Sequence, residues 1–486
     1  MALSYKFDSV KYPLWEVLER HRQKSPLSGH VPGHKNGDVF PEAMRSFYEA
    51  TGPWDVTEIS GLDDLHAPEG AIAEAERALS ELYGTQASFF VVGGSSAGNC
   101  AALYTLFSPG DQVIVQRDCH RSILDALVLS GVEPIFVAPA FEKETGFSLG
   151  LLPETLKQAF HEWPGAAGVI ITSPSYYGAV ADLKRIVATA HGNGKKVIVD
   201  EAHGAHLAPL TSFPCSAVEA GADIVVQSAH KTLPALTMGA YVHVMSASVK
   251  SETLRESLRL MQSSSPSYLI MASLDGARGY LHEQQMIELT LFKFIKQVRH
   301  RLNAIEGTGI IVPKEASYDP LKVVLSPPDQ TTGWAFQQAL EEQGLYVELS
   351  DPQLVLLTLP LKIDKDKADR IISAVTKAVK NTEQSEMDKL IPSAPVFPKM
   401  TSLAYTFAQM RQSSIVEVPL SQADEAVAAE TIVPYPPGIP VIMQGERCTM
   451  EQLKFVRSWK QAGGHLQGGT ALDADCILIY REEEKG

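Results

Sequence analysis

Val197-Ile198-Val199-Asp200-Glu201-Ala202-His203-Gly204-Ala205-His206 and, further on, Asp223-Ile224-Val225-Val226-Gln227-Ser228-Ala229-His230-Lys231 decide how this chain is read. Each stretch holds a short, uninterrupted run of β-branched apolar residues, the pattern of a strand buried on both faces. Each run then delivers polar side chains at its C-terminal end: Asp200 and His203 in the first, Ser228, His230 and Lys231 in the second. In open α/β sheets, ligands bind beyond the carboxyl ends of the strands, so these residues stand where chemistry is expected.

The same pattern extends outward. Strands are predicted at Ser88–Val92, Gln112–Gln116, Pro134–Val137, Gly168–Thr172, Lys196–Asp200, Asp223–Gln227 and Ala240–Val244, and helices at Glu69–Tyr83, His120–Ser130 and Leu183–His191. Apolar strands separated by helices indicate an α/β domain, doubly wound around a mostly parallel sheet. Beyond it, Glu252–Leu260 and Gln284–Leu302 read as helices, followed by strand-like and helical pieces from Ile310 to Lys380. Three prolines in Ile391–Pro398 read as a linker. The expected division is an N-terminal arm over 1–45, a large domain over 46–300, a small α+β domain over 301–390 and a C-terminal domain over 399–486.

Composition narrows the function. The chain has 486 residues, 42 Lys plus Arg against 57 Asp plus Glu, and a net charge of −15. A sequence-independent nucleic-acid binder needs cationic surface to displace counterions, so nucleic acid is not an expected partner. Five widely spread cysteines without a CxxC pair argue against a disulfide framework or a structural zinc site. The N-terminal residues mix charge with apolar side chains and lack the apolar core of a secretory signal. The longest uncharged stretches, Thr85–Gly110 and Trp163–Ala181, are broken by Gly, Ser, Asn or Pro. A soluble, reduced, cytoplasmic protein with no membrane partner is expected.

Three constellations could carry chemistry. Val91-Val92 leads into Gly93-Gly94-Ser95-Ser96-Ala97-Gly98-Asn99 and a helix running to about Phe107, the construction of a phosphate site at a helix start. Read alone, it is equally a βα turn with a serine cap, and it matches neither GxGxxG nor GxxxxGK[ST]. The Asp200-Glu201-Ala202-His203 run imitates a helicase magnesium strand, but the chain has no matching phosphate loop. Asp200, His203 and His206 could ligate a metal, yet no further ligand is evident, so no metal is expected. The remaining functional reading is an acid facing a cofactor ring nitrogen with a histidine beside it; the bland one is a capped turn. Lys231, usually a solvated flank at such a strand end, gains meaning from the acid and the loop upstream. Pyridoxal phosphate needs all three: an amine for a Schiff base, a carboxylate on the pyridine nitrogen and an anion cradle.

Ser228-Ala229-His230-Lys231 with the DEAHGAH run, HVPGHKNG (His30–Gly37), LDDLHAP (Leu62–Pro68), RDCHRS (Arg117–Ser122) and YPPGIP (Tyr435–Pro440) resembles the ornithine/lysine/arginine decarboxylase family. The likeness spans almost the whole chain and is greatest to its short bacterial branch, which lacks the N-terminal response-regulator-like (wing) domain. It departs at Thr237-Met238-Gly239, where many members carry Gln and small hydroxyl residues. The resemblance implies a fold type I, aspartate aminotransferase-like large domain that binds pyridoxal 5'-phosphate, with smaller α+β and C-terminal domains. It implies that Lys231 carries the cofactor, Asp200 holds the pyridinium proton and His120 stacks on the ring. It further implies that Ser95, Ser96, Ala97, Ser228 and His230 surround the phosphate, and His203 is placed near the ring oxygen or substrate carboxylate. The expected activity is α-decarboxylation of a basic amino acid, arginine ahead of lysine or ornithine. Transamination, another fold type I lyase reaction, or cofactor binding without turnover are the alternatives. Asp63, Asp64 or Glu446 would receive the basic tail, and a homodimer or higher even oligomer is expected.

Overall fold

Lys196–Asp200 and Ile224–Gln227 are neighbouring parallel strands, with Asp200 opposite Val226. The computed structural model describes residues 10–143, 146–362, 364–382, 397–434 and 438–481; Ile391–Val396 of the expected linker and Tyr435–Pro437 lie outside the described residues. The chain folds into two units, each assembled from distant segments: residues up to Leu106 with Val197–Leu289, and Phe107–Lys196 with residues from Thr290 onward.

The first unit carries strands in the order Ala87–Val91, Ala240–Val244, Ile224–Gln227 and Lys196–Asp200. Only the last pair is parallel. The antiparallel flank makes the arrangement mixed, and the connection explains it. Between Gln227 and Ala240 the only helix is the single turn Ala229–Thr232, too little for the crossover that a parallel neighbour requires. The helix Gly94–Leu106 lies on these strands, and Gly98 permits it: a Cβ there would stand 2.8 Å from Val226 and 2.9 Å from Val242. The helix Ala71–Tyr83 buries Ile72, Ala75 and Leu79 at helical spacing. Burial of a large aliphatic side chain contributes about 1.5–3 kcal/mol.

Of two successive helices, Tyr268–Gln285 and Glu288–Asn303, the second answers to the one expected over Gln284–Leu302 and the first has no counterpart among the expected elements. The second starts where the Glu288 carboxylate accepts from the Ser212 amide, which pins the break. Glycines at 276 and 279 hide the first in the sequence. Gly279 lets the helix approach Tyr12, whose ring would stand 2.2 Å from an added Cβ.

In the second unit the order is Gly168–Thr172, Gln112–Gln116, Glu133–Val137 and Met400–Ser402, parallel except for the last pair. The fold is therefore α/β with mixed, mostly parallel strands. A four-stranded antiparallel sheet forms from Ile310–Ile311, Lys322–Leu325, Val355–Thr358 and Leu349–Ser350. The C-terminal residues have their own core, in which Val456 and Trp459 of the helix Met450–Gln461 cluster with Ile432, Val441 and Ile442.

Candidate active site

The strand Lys196–Asp200 is apolar from Val197 to Val199, and Asp200 is left 1 % exposed at its end. Its Oδ2 accepts from Asn99 Nδ2 at 3.1 Å and its Oδ1 from the Ala202 amide at 3.2 Å. Both donors are neutral, and among the described residues no cation pairs with this buried acid. A carboxylate out of water calls for a cationic or strongly donating partner. A protonated ring nitrogen supplies one, so the site fits a pyridinium.

The adjacent strand ends in Ser228, after which one turn carries His230 and Lys231. Lys231 Nζ stands 3.2 Å from His203 Nε2. His230 Nδ1 donates to the Gly239 carbonyl at 3.0 Å, closing the loop behind the lysine. Ser228 Oγ donates to Ser95 Oγ at 2.7 Å, which joins this strand end to the start of the helix Gly94–Leu106. Gly94 N donates to the Met238 carbonyl. Ser95, Ser96 and Ala97 form the first turn of that helix, where amide N–H groups and the helix dipole favour an anion. The structure thus brings Asp200, His203, Ser228, His230, Lys231 and the Ser95 turn together within the first unit. Asn99, not singled out in the sequence, belongs with them, one helical turn after Ser95.

Behind the two strand ends runs a buried polar chain. Glu201 points away from Asp200, as strand alternation requires, and accepts from the Ala217 amide at 2.6 Å and from Gln227 Nε2 at 2.7 Å. Gln227 Oε1 then accepts from His243 Nε2 at 3.1 Å, so His243 Nδ1 accepts from Ser88 Oγ at 2.8 Å. Burial pushes the Glu201 carboxyl up to about 8, against the two N–H donors that favour its charge. The same burial pushes the His243 imidazole down to about 3.

His120 belongs to the second unit, exposed, as the N-cap of the helix Arg121–Ser130. Its Nδ1 accepts from the Ser122 amide at 3.2 Å and lies 2.8 Å from Ser122 Oγ. Two of the acids expected to receive a substrate tail are engaged elsewhere. Glu446 forms a buried bidentate pair with Arg117 at 2.6 and 2.7 Å. Asp63 accepts from the amides of Asp64, Glu69, Gly70, Ile72 and Ala73, five donors that make its side chain a cap for the helix Ala71–Tyr83. Asp64 is half-buried, and its Oδ1 accepts from the His66 amide at 2.8 Å.

Among the described residues no three His, Cys, Asp or Glu side chains converge as metal ligands. His206, considered as one, is fully buried edge-on to Phe213. Among the described residues no helix is long and apolar enough to cross a membrane.

Residues 12–316 match the family model described as Orn/Lys/Arg decarboxylase, major domain, and residues 386–471 match the C-terminal domain of the same family. An uncharacterized protein of Bacillus subtilis (strain 168) is 40% identical, covering 97% of this chain and 99% of the relative. A protein of the same organism named arginine decarboxylase is 35% identical over 97% of this chain and 98% of its own length. Among solved structures, the Francisella novicida lysine decarboxylase LdcF aligns with a TM-score of 0.83 at 20% identity, over 97% of this chain and 81% of that one.

Proposed function

The chain belongs to the Orn/Lys/Arg decarboxylase family, and from that premise we propose that it is a pyridoxal-phosphate-dependent carboxy-lyase whose substrate is arginine. Decarboxylation of a basic amino acid rests on the family; arginine over lysine or ornithine is supported by the relative named arginine decarboxylase. The observation that carries the cofactor assignment is Asp200, buried beside Lys231's strand end with neutral donors only.

When bound, pyridoxal phosphate supplies an electron-withdrawing ring that takes up the electron pair left as CO2 departs. The protein's part is orientation and proton control. Asp200 holds a proton at the ring nitrogen, and Asn99 fixes the oxygen that does so. The first turn at Ser95, Ser96 and Ala97, with Ser228 and His230, cradles the phosphate. Lys231 Nζ and His203 Nε2 stand at hydrogen-bond distance, so a proton leaving the amine has an acceptor at hand. His120 would supply the side chain that stacks on the ring in this reading. Of the three acids considered for the basic tail, Asp64 alone keeps a carboxylate oxygen without an intramolecular donor among the described residues, and it takes that role. The four-part domain division, a homodimer or higher even oligomer, and a cytoplasmic location belong to the same reading.

Incubation with pyridoxal phosphate and arginine, lysine or ornithine separately, followed by mass spectrometry, tests it. Agmatine with matching CO2 from arginine is expected. Cadaverine or putrescine alone would move the substrate, and an α-keto acid would replace the reaction by transamination.

A further inference from the structure

We infer that the buried Arg117–Glu446 ion pair is a positioning device through which the C-terminal residues hold the loop that presents His120. The inference rests on the proposed contact of His120 with the cofactor. Arg117 and Glu446 are 0% and 1% exposed and lie 329 residues apart in sequence. Guanidinium NH1 donates to Glu446 Oε1 at 2.7 Å and to Thr401 Oγ1 at 3.3 Å; NH2 donates to Glu446 Oε2 at 2.6 Å and to the Val441 carbonyl at 2.8 Å. The Phe397 ring lies 5.0 Å from the guanidinium carbon, and the Met443 amide donates to Glu446 Oε2 at 3.2 Å. Every anchor of Arg117 apart from its own backbone thus comes from the segment Phe397–Glu446.

A dry ion pair is a poor source of stability, because desolvation offsets much of the attraction. Bidentate Arg–carboxylate geometry does fix direction and distance. Here the fixed point stands three residues before His120. The next residue is also held: Asp118 accepts from Gln116 Nε2 at 2.8 Å and from Ser148 Oγ at 2.5 Å. Arg117 N donates to the Val137 carbonyl at 2.9 Å. Successive residues leading to an exposed histidine are therefore each tied to a different segment of the unit. That arrangement sets where the imidazole points more than it adds burial.

The test uses the full-length holoenzyme as wild type, Glu446→Gln, the double variant Arg117→Met/Glu446→Leu, and His120→Asn as reference. The double variant fills the site with apolar side chains of similar volume, so the fold is kept without the pair. Amide exchange in residues 113–123 is expected to speed up about tenfold in the double variant, with other core peptides unchanged. Its kcat is expected to fall about tenfold to a hundredfold, since small misplacements carry losses of that order, while KM changes little. The visible circular dichroism of the bound cofactor should shift in the same sense as in His120→Asn, with Glu446→Gln intermediate. Unchanged exchange, or faster exchange with wild-type kcat and dichroism, would overturn the inference. A His120→Asn variant identical to wild type would overturn the contact of His120 with the cofactor, and the exchange data would separate that result from a pair that holds nothing.

Discussion

Asp200 and Asn99 show at the scale of single residues how a strand end becomes a site. Asp200 follows three buried apolar residues, Val197 to Val199, and two neutral donors orient both its oxygens. Asp200→Asn removes the group that holds the ring proton. Turnover is expected to fall about 10²–10⁴-fold, with cofactor affinity changed by less than about tenfold, read from kcat and a cofactor titration. Asn99→Leu keeps the volume but loses the donor. A hydrogen bond to a charged group is worth about 1.5–3 kcal/mol, so kcat should fall about tenfold to a hundredfold at unchanged KM, which steady-state kinetics checks. Lys231, Asp200 and the Ser95 turn were legible because their position after apolar strands is a local property. Asn99 was missed because nothing local separates a site amide from a helix-surface one. The partners of Glu446 and Asp63 were not legible because a carboxylate does not announce them: Arg117 is 329 positions from the first, and the second caps the following helix.

Elements obey sequence rules only where their neighbours permit. The strands Gln112–Gln116, Gly168–Thr172 and Lys196–Asp200 have the predicted limits, since β-branched runs between polar turns mark both ends. Direction was less legible, because a short connection made Ala240–Val244 antiparallel. The helix Tyr268–Gln285 stayed hidden behind glycines that serve close packing. Asp63→Ala removes the cap of Ala71–Tyr83, and a loss of about 1–2 kcal/mol is expected in denaturant unfolding, with kcat unchanged. The Glu201–Gln227–His243 chain joins neighbouring strands and makes stability depend on pH. From about 4.5 to 8 the folded protein keeps a proton on Glu201 that the unfolded chain has released, so stability falls as pH rises. From about 3 to 6.5 the unfolded chain takes up a proton that folded His243 refuses, so stability rises. The slopes oppose each other where the windows overlap, and Glu201 acts alone from about 6.5 to 8, at about 1.4 kcal/mol per pH unit. Glu201→Gln should abolish this last limb, about 2 kcal/mol, when urea unfolding is compared at pH 6.5 and 8. Equal losses in both proteins would mean that the carboxyl is ionised throughout.

Over the whole molecule, the family was readable from motifs scattered from His30 to Pro440, whereas the assembly of each unit from distant segments was not. Periodicity reports neighbours in sequence; the pairing of Thr401 with Phe136, or of Arg117 with Glu446, depends on the folded chain. The central claim is that Lys231, at the end of Ile224–Gln227 and opposite the buried Asp200 strand, holds the cofactor. Borohydride reduction of the holoenzyme, digestion and mass mapping of the pyridoxyl-labelled peptide test it directly. The account predicts a single label, on Lys231. A label on another lysine, or no label in a preparation that still decarboxylates a basic amino acid, would contradict it.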